Sequence, residues 1–344
     1  MNNIHGGDIY RNSIKLDFSV NINPLLLPEN IKKSLYDAIG RCGQYPDYNH
    51  EILKKGLAIV HDIFMENILL SNGASEALLA VFHTFMPKKA LIAIPSFYGY
   101  QHGACAVGTE LIYYQLSEDN DFQLDEGFVD SITDDIDLVI LANPANPTGK
   151  LIDDIILQKI IDRCQSQNTL LLLDECFMEL ADSNHTLIGR MEKYDRLLVL
   201  RAFTKSFALP GLRLGYLVSG NTSLIEKIEK HLPEWNISVF SENAGIQCLK
   251  YMSFLDGARR LIGKEKQYLI EELEKYKIKV FSSDANFILL KTDYPLYERL
   301  LEKEILIRDC SNYKGLSKGY YRIAVKGHDD NMKLIKAIGE CIDN

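Results

Sequence analysis

Lys205 and Arg213 stand eight residues apart in the segment RAFTKSFALPGLRLGY, residues 201–216. A lysine amine that can lose its proton forms a Schiff base with an aldehyde, and burial among Phe203, Phe207 and Leu209 would help by disfavouring the ammonium. Arg213 adds a planar fork of donors suited to a phosphate, which a lysine cannot supply. Together the two residues suit an aldehyde ligand that carries a phosphate. Lysines are mostly exposed surface residues, so the pair gains its meaning from three further segments.

The first, LANPANPTG at residues 141–149, follows the apolar run Asp137 to Leu141 and holds Asn143, Pro144, Asn146, Pro147 and Gly149. Its two Asn-Pro steps impose an extended, sharply turned backbone at a strand end. The second, TLLLLDECF at 169–177, is an apolar run of the kind buried in a parallel sheet, closed by Asp174. An acid there is costly without a cationic partner, and the protonated ring nitrogen of a pyridine cofactor is such a partner. The third, LLSNGASEALLAVF at 69–82, passes from a strand through Asn72, Gly73, Ala74 and Ser75 into a helix, whose free N–H groups and Ser75 hydroxyl make a phosphate cradle.

Cradle, Asn-Pro turn, strand-end acid, lysine and arginine follow one another in an order that resembles fold-type I pyridoxal phosphate enzymes, over nearly the whole chain. The resemblance implies that Lys205 carries pyridoxal 5′-phosphate as a Schiff base and that Asp174 faces the ring nitrogen. It further implies that Asn146 hydrogen-bonds the ring 3′-oxygen, that Ser75 and Arg213, with Gly73 and Ala74, hold the phosphate, and that Phe97 in PSFYGY stacks on the ring. Ala202 departs from the pattern, since a hydroxyl common at that position is lost; Thr204 is the residue that can compensate.

These groups need a scaffold. From about Ile68 to Val218 the runs ILLS, ALIAI, LIYYQ, DLVILA, TLLLL, RLLVL and LGYLV alternate with helix-like segments, the signature of a mostly parallel sheet covered on both faces. Beyond Leu249 long charged helical stretches, such as Gly257 to Tyr276, interleave with KVF, FILLK and YRIAV. The expected fold is α/β: a large cofactor-binding domain over residues 41–245, a small α+β domain over 246–344, and an N-terminal arm, 1–40, that joins the small one. A chain of 344 residues accommodates two such domains.

A net charge of -9 without a Lys/Arg stripe argues against nucleic acid as a partner. The seven cysteines lack CxxC spacing and are odd in number, which reads as reduced thiols. No metal site is expected. The N-terminus lacks an apolar signal core and no run approaches the roughly twenty apolar residues of a membrane span, so the expected location is the cytoplasm.

Reaction choice lies with the residues that hold the substrate, because the bond that breaks is the one set perpendicular to the cofactor ring. The candidates are His5, Asn23, Tyr45, Asn286, Arg308 and Arg322, with Asn146. HGGDIYRNSIKLDFSVNINP at the start, DECF, PSF, LPEWNIS at 232–238 and IRDCSNYKGL at 307–316 resemble the threonine-phosphate decarboxylases of cobalamin biosynthesis. These are relatives of histidinol-phosphate aminotransferases. The resemblance implies a phosphorylated hydroxy-amino acid as substrate, an amino-alcohol phosphate as product, and a homodimer with a shared active site, in which His5 and Tyr45 hold the substrate phosphate or close the site, Tyr45 from the partner subunit. Related aminotransferases place a tyrosine where Phe177 stands. Phe177 has no hydroxyl for the 3′-oxygen, which favours a branch other than transamination, unless Phe177 only packs under the ring. Arg308 and Arg322, fourteen positions apart, offer two separate sites for a carboxylate and a phosphate. LLLPEN at 25–30 replaces the glycine usual after NINPL and alters the entrance loop. The alternative activity is an aminotransferase; a non-catalytic protein on this fold would lack Lys205 or Asp174, and both are present.

Overall fold

The structure is a computed structural model that describes residues 5–181 and 183–342. Its strands are β1 (Leu16–Asp17), β2 (Ile68–Ser71), β3 (Lys89–Ile94), β4 (Glu110–Gln115), β5 (Leu138–Ala142), β6 (Leu170–Asp174), β7 (Leu197–Ala202), β8 (Gly215–Val218), β9 (Lys279–Val280), β10 (Phe287–Lys291), β11 (Ile305–Leu306), β12 (Arg308–Asp309) and β13 (Tyr320–Ala324). Every apolar run singled out in the sequence is a strand. The two-residue strands β1, β11 and β12 are too short to leave a periodic trace.

A seven-stranded sheet has the order β2-β8-β7-β6-β5-β3-β4. All its pairings are parallel except those of β8, which runs antiparallel to both β2 and β7. The reversal comes from the connection between β7 and β8, which holds only the four-residue helix Phe203–Ser206, too little to cross the sheet and start a parallel strand. That short return carries Lys205. Alternate strand residues are buried on opposite faces: Leu91, Val139, Leu141, Leu171, Leu173 and Val199 on one, Ile92, Leu138, Ile140, Leu172, Leu198 and Leu200 on the other. Helices cover both faces, which explains runs that are apolar without alternation.

A second sheet has the order β12-β13-β10-β9, and β1 pairs in parallel with β11, so that the N-terminal arm joins the C-terminal part of the chain. The long helix Ser253–Lys275 begins four residues before the expected stretch and buries Leu269 and Leu273 in the core of this part, with Ile288, Leu290, Ile323 and Leu334. Among the described residues no helix is long and apolar enough to cross a membrane, and no cluster of His, Cys, Asp or Glu could hold a metal ion.

Beyond Asp174 and just before Lys205 lies a buried ion pair. Arg201 reaches Glu175 at 2.8 Å, with both side chains withdrawn from solvent, and Glu175 also accepts from Thr186 Oγ1 at 2.7 Å and from the Leu187 N–H at 2.9 Å. Arg201 Nη1 also lies 3.6 Å from Glu179, and such partners are the condition for a buried pair to be tolerated. Arg201→Met is expected to lower the unfolding free energy by about 3–5 kcal/mol, because Glu175 is then left buried without a counter-charge. Urea unfolding of this variant and of the double variant with Glu175→Met checks it: the double variant should lose less than the single one.

Candidate active site

The parallel strands β5, β6 and β7 end side by side at Ala142, Asp174 and Ala202, and a cavity of about 380 Å³ opens beyond them. Ligands of open α/β sheets bind at this carboxyl edge. The helix Ala74–Phe85 points its first turn at the same space. Its N-cap, Gly73, has φ 76°, and a Cβ there would lie 2.4 Å from Arg213 Nη2. Only glycine allows both the backbone turn and the close approach of the guanidinium. Arg213 itself is left-handed, at φ 57°, a conformation that costs a residue with a Cβ about 1 kcal/mol. Ala74, Ser75, Thr204 and Arg213 all line the cavity, so unpaired first-turn N–H groups, two hydroxyls and a guanidinium converge where an anion would sit.

Lys205 faces this cavity with its Nζ 5.8 Å from the centre of the Phe177 ring. Loss of solvent and, next, the positive charge of Arg322 lower its pKa to about 8, against an opposing pull from Cys176 and Asp174. A free amine is therefore within reach near neutral pH. The Asp174 carboxylate accepts the Tyr100 hydroxyl at 2.8 Å and the Cys176 N–H at 3.0 Å. Asn146 Oδ1 accepts from Arg322 Nη1, which leaves its NH2 group to donate into the cavity. Phe97 lines one wall, edge-on to Tyr100 with centroids 5.7 Å apart. Phe177 packs on Phe287 at 5.0 Å.

Arg308 and Arg322 are not in separate places. They are directly paired residues of the antiparallel strands β12 and β13, so the sheet register sends both side chains from one face, each residue 5% exposed and each lining the cavity. Arg322 Nη2 donates to the Ser19 carbonyl at 2.8 Å, while its Nε has no partner. Arg308 donates to Asn312 Oδ1 at 2.8 Å and lies over the Tyr313 ring at 5.1 Å. His5 borders the cavity 6.0 Å from Phe97. Burial first, then the charge of Arg308, lowers its pKa.

Two expected substrate contacts, Asn23 and Asn286, fall elsewhere, and Tyr45 lies outside the cavity of its own chain. Asn23 is turned away: its Nδ2 donates to the Ser206 carbonyl at 2.7 Å, and its own N–H to the Lys205 carbonyl at 2.9 Å. It braces the lysine turn. Tyr45 is 78% exposed and packs on Trp235 at 4.7 Å, outside the cavity of its own chain. Asn286 donates to the Ile22 carbonyl at 3.2 Å and is not in the wall. Asn21, not expected from the sequence, is 2% exposed, lines the cavity and has no partner for its Oδ1 among the described residues. Nothing in NINP separates its two asparagines. Tyr100 and Tyr313 were missed as well, although both lie inside quoted motifs.

The sequence profile of the family Aminotransferase class I and II matches residues 13–338. The chain belongs to that family. Members depend on pyridoxal phosphate, and so does this enzyme. The residues present fit that group: an amine for its aldehyde, a carboxylate for its ring nitrogen, and a helix N-terminus beside Arg213 for its phosphate. A threonine-phosphate decarboxylase of Salmonella typhimurium is 33% identical, over 98% of this chain and 96% of its own. A histidinol-phosphate aminotransferase of Methanocaldococcus jannaschii is 30% identical, over 94% of this chain and 88% of its own. Among solved structures, a histidinol-phosphate aminotransferase from Clostridium acetobutylicum superposes with a TM-score of 0.90 at 34% identity, covering 96% of this chain and 99% of that one. Members of the family are typically dimeric and act on small amino-acid substrates.

Borohydride reduction of the cofactor-loaded enzyme followed by peptide mapping is expected to label Lys205, and label on another lysine would overturn that choice. Uptake of cofactor by the apoenzyme should quicken as pH rises through about 8, where the Lys205 ammonium becomes free base. A pH-independent rate would show that the amine is not limiting.

Proposed function

We propose that the enzyme decarboxylates a phosphorylated hydroxy-amino acid such as O-phospho-L-threonine, releasing an amino-alcohol phosphate. In this reading Lys205 carries the cofactor, Asp174 faces its ring nitrogen, Asn146 its 3′-oxygen, and Ser75, Thr204 and Arg213 its phosphate, with Phe97 against the ring. The observation that carries the reading is the cross-strand pair Arg308 and Arg322 at the wall of the cavity. With Arg213 committed to the cofactor, two guanidiniums remain, matching a substrate that bears both a carboxylate and a phosphate. The full-length likeness to the Salmonella decarboxylase supports the same substrate class.

When bound, pyridoxal phosphate takes up the electron pair left by the departing carboxylate. The chain's residues do the rest. Arg308, Arg322, Asn21 and His5 would orient the substrate so that its carboxylate, and not its α-hydrogen, is the group that leaves. Lys205 Nζ, with a pKa near 8, can hold a proton and deliver it to the α-carbon at neutral pH. Asp174 remains beneath as an anchored charge. Phe177 adds no donor on the 3′-oxygen side and leaves Asn146 as the donor there.

A dimer belongs to the same proposal. Tyr45, Tyr48 and Trp235 form an exposed aromatic group, and a second copy seated there would bring Tyr45 toward the partner's cavity. The second reading is an aminotransferase, favoured by the Clostridium structure, which is similar over nearly its whole length.

Carbon dioxide release from O-phospho-L-threonine, measured against amine transfer to 2-oxoglutarate, separates the two. Release of carbon dioxide without transfer is expected, and rapid transfer without release would give the second reading the field. Arg308→Ala should raise KM for the phosphorylated substrate about tenfold to a hundredfold, the worth of one charge-assisted bond, while leaving the absorbance of the bound cofactor unchanged. Arg322→Ala should also depress kcat, since Asn146 and Ser19 lose their partner with it.

A further inference from the structure

We propose that Tyr100 is a positioning residue that aims the Asp174 carboxylate at the cofactor ring and governs how tightly that acid holds the ring proton. The inference rests on the role assigned to Asp174 above. Tyr100 is 1% exposed, lines the cavity and donates its hydroxyl to Asp174 Oδ2 at 2.8 Å. The other oxygen, Oδ1, accepts the Cys176 N–H at 3.0 Å. Each carboxylate oxygen is thus held by a donor of the chain, which fixes the plane of the group.

Among the described residues the hydroxyl has no other partner. A phenol placed in a buried site with one acceptor marks that acceptor as its purpose, because an unpaired buried hydroxyl is costly and phenylalanine would fill the space as well. Burial first, and then the charge of Asp174, push the Tyr100 pKa well above the ordinary phenol value, so it remains a donor throughout the working pH range. The local sequence explains the placement. Phe97 and Tyr100 are three apart at the start of the helix Tyr98–Val107, hence on one face, and one helix start supplies both the aromatic wall and the partner of the acid.

A hydrogen bond donated to a carboxylate favours its charged form. Without it the shared proton shifts from the ring nitrogen toward the acid, and the ring becomes a poorer electron sink. For Tyr100→Phe in the holoenzyme we expect kcat to fall about tenfold, equal to roughly 1.4 kcal/mol, with KM changed less than about twofold. The apparent pKa read from the visible absorbance of the bound cofactor should rise by about one unit, because a less positive ring holds the neighbouring Schiff-base proton more firmly. The double variant with Asp174→Asn should be no slower than Asp174→Asn alone, since Tyr100 acts through the acid. An unchanged titration and kcat in Tyr100→Phe, or additive losses in the double variant, would overturn the proposal while leaving Asp174 in its role. Unimpaired turnover by Asp174→Asn would remove that role and this one with it.

Discussion

Keeping the Lys205 amine poorly solvated among positive charges is the constraint on which the rest of the site depends. Four cationic side chains, Lys205, Arg213, Arg308 and Arg322, line one cavity that has Asp174 as its acid. Loss of solvent and the nearby Arg322 disfavour the ammonium, so the amine is available near pH 8 rather than at the ordinary lysine value. The same excess of positive charge makes the cavity a receptor for anions. A phosphate on the cofactor and two anionic groups on a substrate would each neutralise part of this positive charge. Reactivity and recognition therefore arise from one electrostatic arrangement.

That arrangement needs a frame that holds like charges together. The large sheet supplies it: parallel neighbours bring the ends of β5, β6 and β7 to one edge, and the short return to β8 turns Lys205 inward instead of carrying it across the sheet. Behind this edge the Glu175–Arg201 pair ties the residue after Asp174 to the strand that leads into Lys205, and the Glu175 N–H also donates to the Leu200 carbonyl at 2.9 Å. The catalytic face and the supporting face are successive residues of the same strand ends, as the period of two in a strand dictates.

This explains what could be seen in the sequence. Apolar runs ending in Asn-Pro or Asp-Glu, and a glycine ahead of a helix, are local signals whose physics survives without knowledge of neighbours, so the large sheet, Lys205, Asp174, Asn146, Ser75 and Arg213 could be named and are brought together. Contacts decided by tertiary direction could not. Asn21 and Asn23 differ only in which way the chain turns before Leu25. Tyr100 resembles any core tyrosine until Asp174 is set against it. Arg308 and Arg322 look like two separate sites from a spacing of fourteen, and become one pair only when β12 and β13 are zipped in register. Tyr45, expected to reach the site from a partner subunit, lies outside the cavity of its own chain.

The division of labour between the two sheets has a consequence for substrate binding. In the proposed reading the cofactor-facing groups stand on the large sheet and its helix, whereas Arg308 and Arg322 stand on β12 and β13 of the small one. Part of what joins these parts is charged and near the surface. Glu118, beyond β4, meets Lys279 at 2.6 Å and Lys291 at 2.7 Å, on β9 and β10. Burial opposes its charge, but the bonds from those lysines and Tyr320 lower its pKa to about 2. Partly exposed pairs of this kind contribute little, about 1 kcal/mol or less each. An anion bridging Arg308 and the cofactor side adds a stronger, better-shielded link between the same two parts. In the proposed reading, a substrate held by Arg308 and joined to the cofactor therefore spans both sheets.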